Sequence, residues 1–254
     1  MVLHGYAGTA VLVLGLLSRR GRERIDFSST TVILASLGFF VGKQALQVSS
    51  GSQDGGWSSL GAFNTIVAAY AGAAAYNVAN VVLPKEGGFM TGSANAASAV
   101  KGALVGTVAM ASGAALQEPE WAVLSNVCSC AVVYLIDWLT AKVDVAGFDC
   151  FMTHAVGGFV GSAMTGLFAN NLNNRLYKLA TLPQGYAGAF FGGGGKQLAY
   201  QCAGISVTIL LTVVMTLGIY ALVHTVMIPF GGAWEEKEGE EGPLPRKAAD
   251  AARA

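Results

Sequence analysis

The chain has 254 residues, of which 53% are hydrophobic and only 12% charged, with 34 glycines and a formal net charge of zero. Soluble domains carry roughly 25% charged residues, so this composition excludes that class. The absence of net positive charge also argues against a nucleic-acid partner.

Apolar stretches separated by short polar breaks read as an all-α integral membrane protein, with the lipid bilayer as its solvent. At roughly 20 apolar residues per crossing, about seven transmembrane helices are predicted. The predicted spans are residues 1–18, 30–48, 60–83, 94–116, 121–139, 148–169 and 198–226. They form a membrane domain over 1–230, followed by a polar C-terminal tail over 231–254.

The first span contains His4 and lacks the basic n-region of a cleavable signal peptide. Arg19, Arg20, Arg22 and Arg24 follow it. The second span carries Gly38, Gly42 and Lys43, and the fourth carries Lys101, Gly102 and Gly106. Small residues four apart let helices approach closely, and the pattern recurs at Gly157/Gly161 in the sixth span. Cys128, Cys130, Cys150 and Cys202 all lie in apolar segments and read as small packing residues, not metal ligands.

The sixth span is a membrane-length apolar helix with His154 near its middle and Asp149 near its start. A histidine in hydrocarbon marks a functional site by default, yet a simple interhelical hydrogen bond also accounts for one. A second intramembrane histidine, His4, adds the alternative of a proton or polar-solute path. Asp149 suits the positive end of the helix dipole. Lys43 and Lys101 are atypical intramembrane charges that snorkel, pair with carboxylates, line a wet cavity or contact partner subunits.

The loop over 170–196 ends in Gly192-Gly193-Gly194-Gly195-Lys196-Gln197. It fails as a phosphate loop, because Phe190 stands where the first glycine belongs and Gln197 where Ser or Thr belongs. No nucleophile–base pair, metal cluster or cofactor loop is legible, so neither an enzyme nor a cofactor is expected. His224 sits near the end of the seventh span. Basic residues at 19–24, Lys85, Lys142 and the tail share one side, against Arg175, Lys178 and Lys196 on the other. That bias puts the C-terminus on the cytoplasmic-equivalent side. No targeting signal selects between a plasma membrane and an organelle inner membrane.

The run Asp149-Cys150-Phe151-Met152-Thr153-His154-Ala155-Val156-Gly157-Gly158, then Gly161, then Thr165-Gly166-Leu167-Phe168-Ala169, closely resembles a motif of the ammonium transporter (Amt/Rh) family. Gly188–Leu198, Ala62-Phe63-Asn64-Thr65 and Glu120-Trp121-Ala122 resemble further family segments in the same order, and the likeness covers most of residues 1 to about 242. It implies the C-terminal part of that fold, from the fifth helix to the eleventh, with no counterpart in this chain to the four helices before. It implies that His4 and His154 are a hydrogen-bonded pore pair for ammonium or ammonia, with Asp149 in support.

Lys43, Lys101 and Ala155 depart from the family pattern. Seven of eleven helices would leave one side open, with His4, Lys43, Lys101 and His154 facing it. The expectation is therefore a chain unable to conduct alone, serving as a structural or accessory subunit among other membrane subunits. The alternatives are half of a split ammonium/ammonia channel, or a fragment of an active transporter.

Overall fold

The computed structural model describes residues 2–19, 21, 29–50, 55–83, 95–170 and 187–227. The fold is all-helical, with seven helices and no strands among the described residues. In chain order α1 is Val2–Ser18, α2 Ser29–Ser50, α3 Gly55–Val82, α4 Ala96–Met110 and α5 Pro119–Leu139. Helix α6 runs through three pieces, an α-helical turn Phe148–Cys150, a π-helix Phe151–Val156 and an α-helix Gly157–Phe168. Helix α7 is Lys196–Met227.

Three stretches are long and apolar enough to cross a membrane, namely Ser59–Val82, Pro119–Leu139 and Lys196–Val226. The apolar helices Val2–Ser18, Ile33–Leu46 and Ala96–Met110 are shorter. The chain divides into two units, Met1–Val214 and Met215–Ala254. In the second, α7 continues to Met227, and the rings of Tyr220 and His224 stack with centroids 5.9 Å apart. The polar tail expected over 231–254 lies outside the described residues.

The first unit is centred on the α3–α4 pair. Side chains of ordinary size would keep the two backbones apart. Gly72 of α3 and Gly102 and Gly106 of α4 remove them at the crossing, where a Cβ on any of the three would run into carbonyl oxygens of the facing helix. Helix α6 closes on α4 in the same way, with Gly161 against the Ala109 carbonyl. The third expected close-packing pair fails: Gly38 and Gly42 of α2 face open space. On that helix Leu34, Leu37 and Val41 are exposed. Around the crossing, Tyr76, Val105, Cys130, Val133, Tyr134, Phe148 and Met152 form the main apolar core, with Tyr76 and Tyr134 edge to face.

Helix α4 stops at Met110, short of the expected 116. The amides of Ala111 and Gly113 bond carbonyls three residues back, the tightening that ends a helix. Two of the carbonyls freed beyond that point find a side-chain donor. Asn64 Nδ2 donates to Ala114 O and Gln117 O, each at 2.8 Å. The Ser112 and Thr165 hydroxyls, 2.9 Å apart, tie the same segment to α6. A packed neighbour thus does for this backbone what further helical turns would otherwise do.

The candidate histidine site

Histidine 154 lies inside the π-helical piece of α6. A π-turn holds an extra residue per turn and re-aims the side chains it carries. Its end is marked by the Gly157 amide, which reaches the Met152 carbonyl five residues back as well as that of His154. The approach of α1 is set by glycine: a Cβ on Gly8 would lie 2.6 Å from the Ala155 nitrogen, so only glycine lets α1 settle against the π-turn. Gly147, the residue before α6, adopts the left-handed φ of 77° against Val11 of α1, a backbone conformation that costs other residues strain.

These contacts bring together two of the residues singled out in the sequence. His4 Nδ1 and His154 Nδ1 are 3.1 Å apart, and the rings stack with centroids at 5.2 Å and an interplanar angle of 14°. Helix α2 supplies the rest of the site from two residues one turn apart. The Phe39 ring meets His154 edge-on at 6.0 Å, and Lys43 Nζ stands 3.0 Å from His4 Nε2. The nitrogens form a continuous chain from Lys43 Nζ through both nitrogens of His4 to His154 Nδ1.

Charge fixes the proton positions along that chain. An ammonium has three donors and no acceptor. With Lys43 charged, His4 Nε2 must accept, so His4 carries its proton on Nδ1 and donates to His154 Nδ1. His154 then keeps its own proton on Nε2. A neutral Lys43 amine has a lone pair and permits the reverse order. The arrangement can therefore pass a proton-bonding preference between α2, α1 and α6.

The expected open side does not leave these groups bare within the chain. Lys43 is 5% exposed, and His4, His154 and Lys101 are half-buried. Lys43 is covered because its amine folds onto the His4 ring.

Lys101 is not part of the histidine site. Its amine meets Asp137 Oδ2 of α5 at 2.9 Å and Asp149 Oδ1 of α6 at 3.4 Å. Asp149 thus reaches this second cluster. Asp137, 1% exposed, is the residue that sequence reasoning missed. A lone carboxylate near the end of the fifth apolar span is a detectable signal, by the same rule that singled out the lysines.

At the opposite end of α6 the other distinctive segments converge. Trp121 stacks on Phe168 at 5.5 Å and meets Phe191 edge-on at 5.3 Å, while Phe190 stacks on Phe168 at 5.1 Å. The glycine run forms a turn with positive φ at Gly192, Gly194 and Gly195, leading directly into α7. The four cysteines are free, and no cluster able to hold a metal occurs among the described residues.

The profile of the Ammonium Transporter Family matches residues 1–242. Ammonium transporter 3 member 3 of Oryza sativa subsp. japonica is 29% identical over 250 residues, covering 91% of this chain and 48% of that protein. Ammonium transporter 2 of Arabidopsis thaliana is 29% identical over 248 residues, covering 92% and 50%. The crystal structure of Saccharomyces cerevisiae Mep2 superimposes with a TM-score of 0.73 at 24% identity, covering 89% of this chain and 51% of that one. Candida albicans Mep2 gives 0.74 at 22% identity, covering 89% and 49%. The chain therefore spans about half the length of the relatives it matches.

Proposed function

The chain belongs to the Ammonium Transporter Family, and from that premise we propose that it is a membrane subunit that does not conduct alone and serves a structural or accessory role in a larger membrane complex. One observation carries this reading: a lysine amine stands 3.0 Å from the histidine that a passing ammonium would have to meet. In low dielectric, a cation at that point repels a second one by several kcal/mol, so ammonium does not queue there. The exposed apolar faces of α1 and α2, with Leu3, Leu16, Leu34 and Val41, offer surface to lipid or to further subunits.

In this reading residues 1–230 are the membrane domain, and 231–254 a tail on the cytoplasmic-equivalent side, the side favoured by the arginines at 19–24. Lys101 acts within the chain, pairing with Asp137 and Asp149. His4 and His154 keep the geometry of a nitrogen-handling pair.

That pair, assembled from this chain alone, favours a second reading. Here the chain is half of a split ammonium/ammonia channel, or part of an active transporter, with His4 and His154 in the pore and Asp149 in support. The test is native mass and subunit composition after mild detergent extraction, then ammonium flux in proteoliposomes. Co-migration with a large complex, and no flux from the chain alone, is the expected result. Flux from the chain alone, or from the chain together with a small companion that co-migrates with it, abolished in either case by His154→Ala, overturns the first reading in favour of the second.

A further inference from the structure

We propose that the Lys43 amine is the resident ligand of the histidine pair, occupying on His4 the position that a free small amine would take. This deepens the reading of His4 and His154 as a nitrogen-handling pair and rests on it. An imidazole has two hydrogen-bonding nitrogens. His4 Nδ1 is committed to His154, which leaves Nε2 as the one position through which an incoming amine can bond this ring. Lys43 Nζ already fills it at 3.0 Å.

A primary alkylamine reproduces what ammonia and ammonium bring. Charged, it only donates; neutral, it also accepts. It therefore sets the same two proton orders along the His4–His154 chain that the free species would set. Lys43 is suited to this role and to little else. Among the described residues it has no carboxylate partner, unlike Lys101. It is nearly fully buried, and Phe39 one turn earlier holds the same face of α2 against the other ring.

A tether makes the occupant hard to displace. A group linked within the same fold competes at an effective concentration of about millimolar or above, an advantage on the order of a hundredfold to ten-thousandfold over the untethered group. Ammonium at micromolar concentration therefore does not evict Lys43. Removing the amine while keeping most of the stem vacates a position sized for one nitrogen.

The experiment is NMR of labelled histidine nitrogens in the whole chain held in lipid nanodiscs, titrated with ammonium chloride and separately with methylammonium chloride. Wild type is compared with Lys43→Met, which is shorter by the terminal nitrogen, and with Lys43→Arg, which restores a donor. In wild type and Lys43→Arg, the His4 Nε2 resonance stays fixed through low ammonium concentrations. In Lys43→Met it shifts saturably, with half-saturation at least about a hundredfold below any response of the wild type. A hydrogen-bond correlation between the two Nδ1 atoms, whichever ring then carries the proton, verifies that the pair survives in the variant. If it does not survive, Lys43→Ala repeats the test, and the wild-type titration decides by itself.

A saturable low-concentration shift in the wild type overturns the proposal and leaves the nitrogen-handling reading standing, since the position is then open. An intact Lys43→Met pair that ignores both amines overturns the proposal and that reading together.

Discussion

Lys43 and Lys101 both lie in the interior of apolar helices, and their surroundings differ. Lys101 of α4 is held between two carboxylates, at 2.9 Å from Asp137 and 3.4 Å from Asp149, beside the tyrosine-rich core. Lys43 of α2 meets an imidazole, and no carboxylate among the described residues neutralises it. An intramembrane charge is expensive wherever it sits. A charge compensated by opposite charge belongs to the scaffold. A charge set against a titratable ring, at the junction of three helices, belongs to a site. Composition treats the two lysines alike; the partners separate them.

The largest expected effect breaks the scaffold side. Asp137→Ala leaves the Lys101 ammonium with only a half-exposed second carboxylate. Removing one partner of a buried pair costs about 3–5 kcal/mol when the other charge is left alone, so with Asp149 still present the lower end, about 3 kcal/mol, is expected. Thermal unfolding of the purified chain in mild detergent should show a steeper fall for this variant than for any substitution at His154, Lys43 or Asp149. Combining Asp137→Leu with Lys101→Met removes both charges. Apolar replacement of a buried pair is often neutral or better, so most of the loss should return. If the double variant is no better than the single one, the cluster does more than balance charge.

His154→Ala acts on the site side and should cost less. It leaves His4 Nδ1 without its partner in a half-buried setting, a penalty of about 1–3 kcal/mol. It also removes the ring under Phe39. The same unfolding measurement ranks it, and a loss as large as that of Asp137→Ala would make the pair a structural element first.

Much of this fold was legible because membrane helices announce themselves by length and apolarity. Helices occur at all seven predicted stretches, with Val2–Ser18 and Pro119–Leu139 close to the expected bounds. What was not legible has physical causes. The early stop of α4 at Met110 depends on Asn64, some fifty positions away in sequence, whose amide donates to the freed carbonyls. The π-turn around His154 follows from no residue pattern, because an extra residue per turn is a choice of backbone register made by packing against Gly8 of α1. Gly38 and Gly42 carry the same spacing as Gly102 and Gly106, yet only the latter meet a helix. Spacing states that a close approach is permitted, and the neighbours decide whether it occurs. In the site, the two histidines and Lys43 were each identifiable as unusual, but only the fold shows that Lys43 points its amine at His4 and that Lys101 does not.

Lys43→Met sharpens the comparison from the other direction. It gives up one hydrogen bond, worth about 0.5–1.5 kcal/mol net, and at the same time releases a buried amine from the cost of desolvation. The two terms oppose each other, so the net change in stability should stay within about 1 kcal/mol. A lysine whose removal barely moves the unfolding midpoint, in a place where a charge is costly, is not there for stability. A loss on the scale of Asp137→Ala would instead place Lys43 in the scaffold with Lys101.

The smallest effect is expected at Asp149. Its side chain is 49% exposed and its oxygen is the longer of the two contacts to Lys101, so solvent already screens the interaction. Exposed ion pairs contribute about 0–1 kcal/mol, and Asp149→Asn keeps the shape and a hydrogen-bonding oxygen. Its midpoint should fall within about 1 kcal/mol of wild type, and raising the salt concentration should shrink the difference further. Asp137, 1% exposed, gives no such salt response, because screening does not reach a buried pair. The two carboxylates on one lysine are thus separable by a single titration with salt. A salt-insensitive, large effect at Asp149 would mean that its carboxylate supports the start of α6, and through it the turn that carries His154, more firmly than its exposure implies.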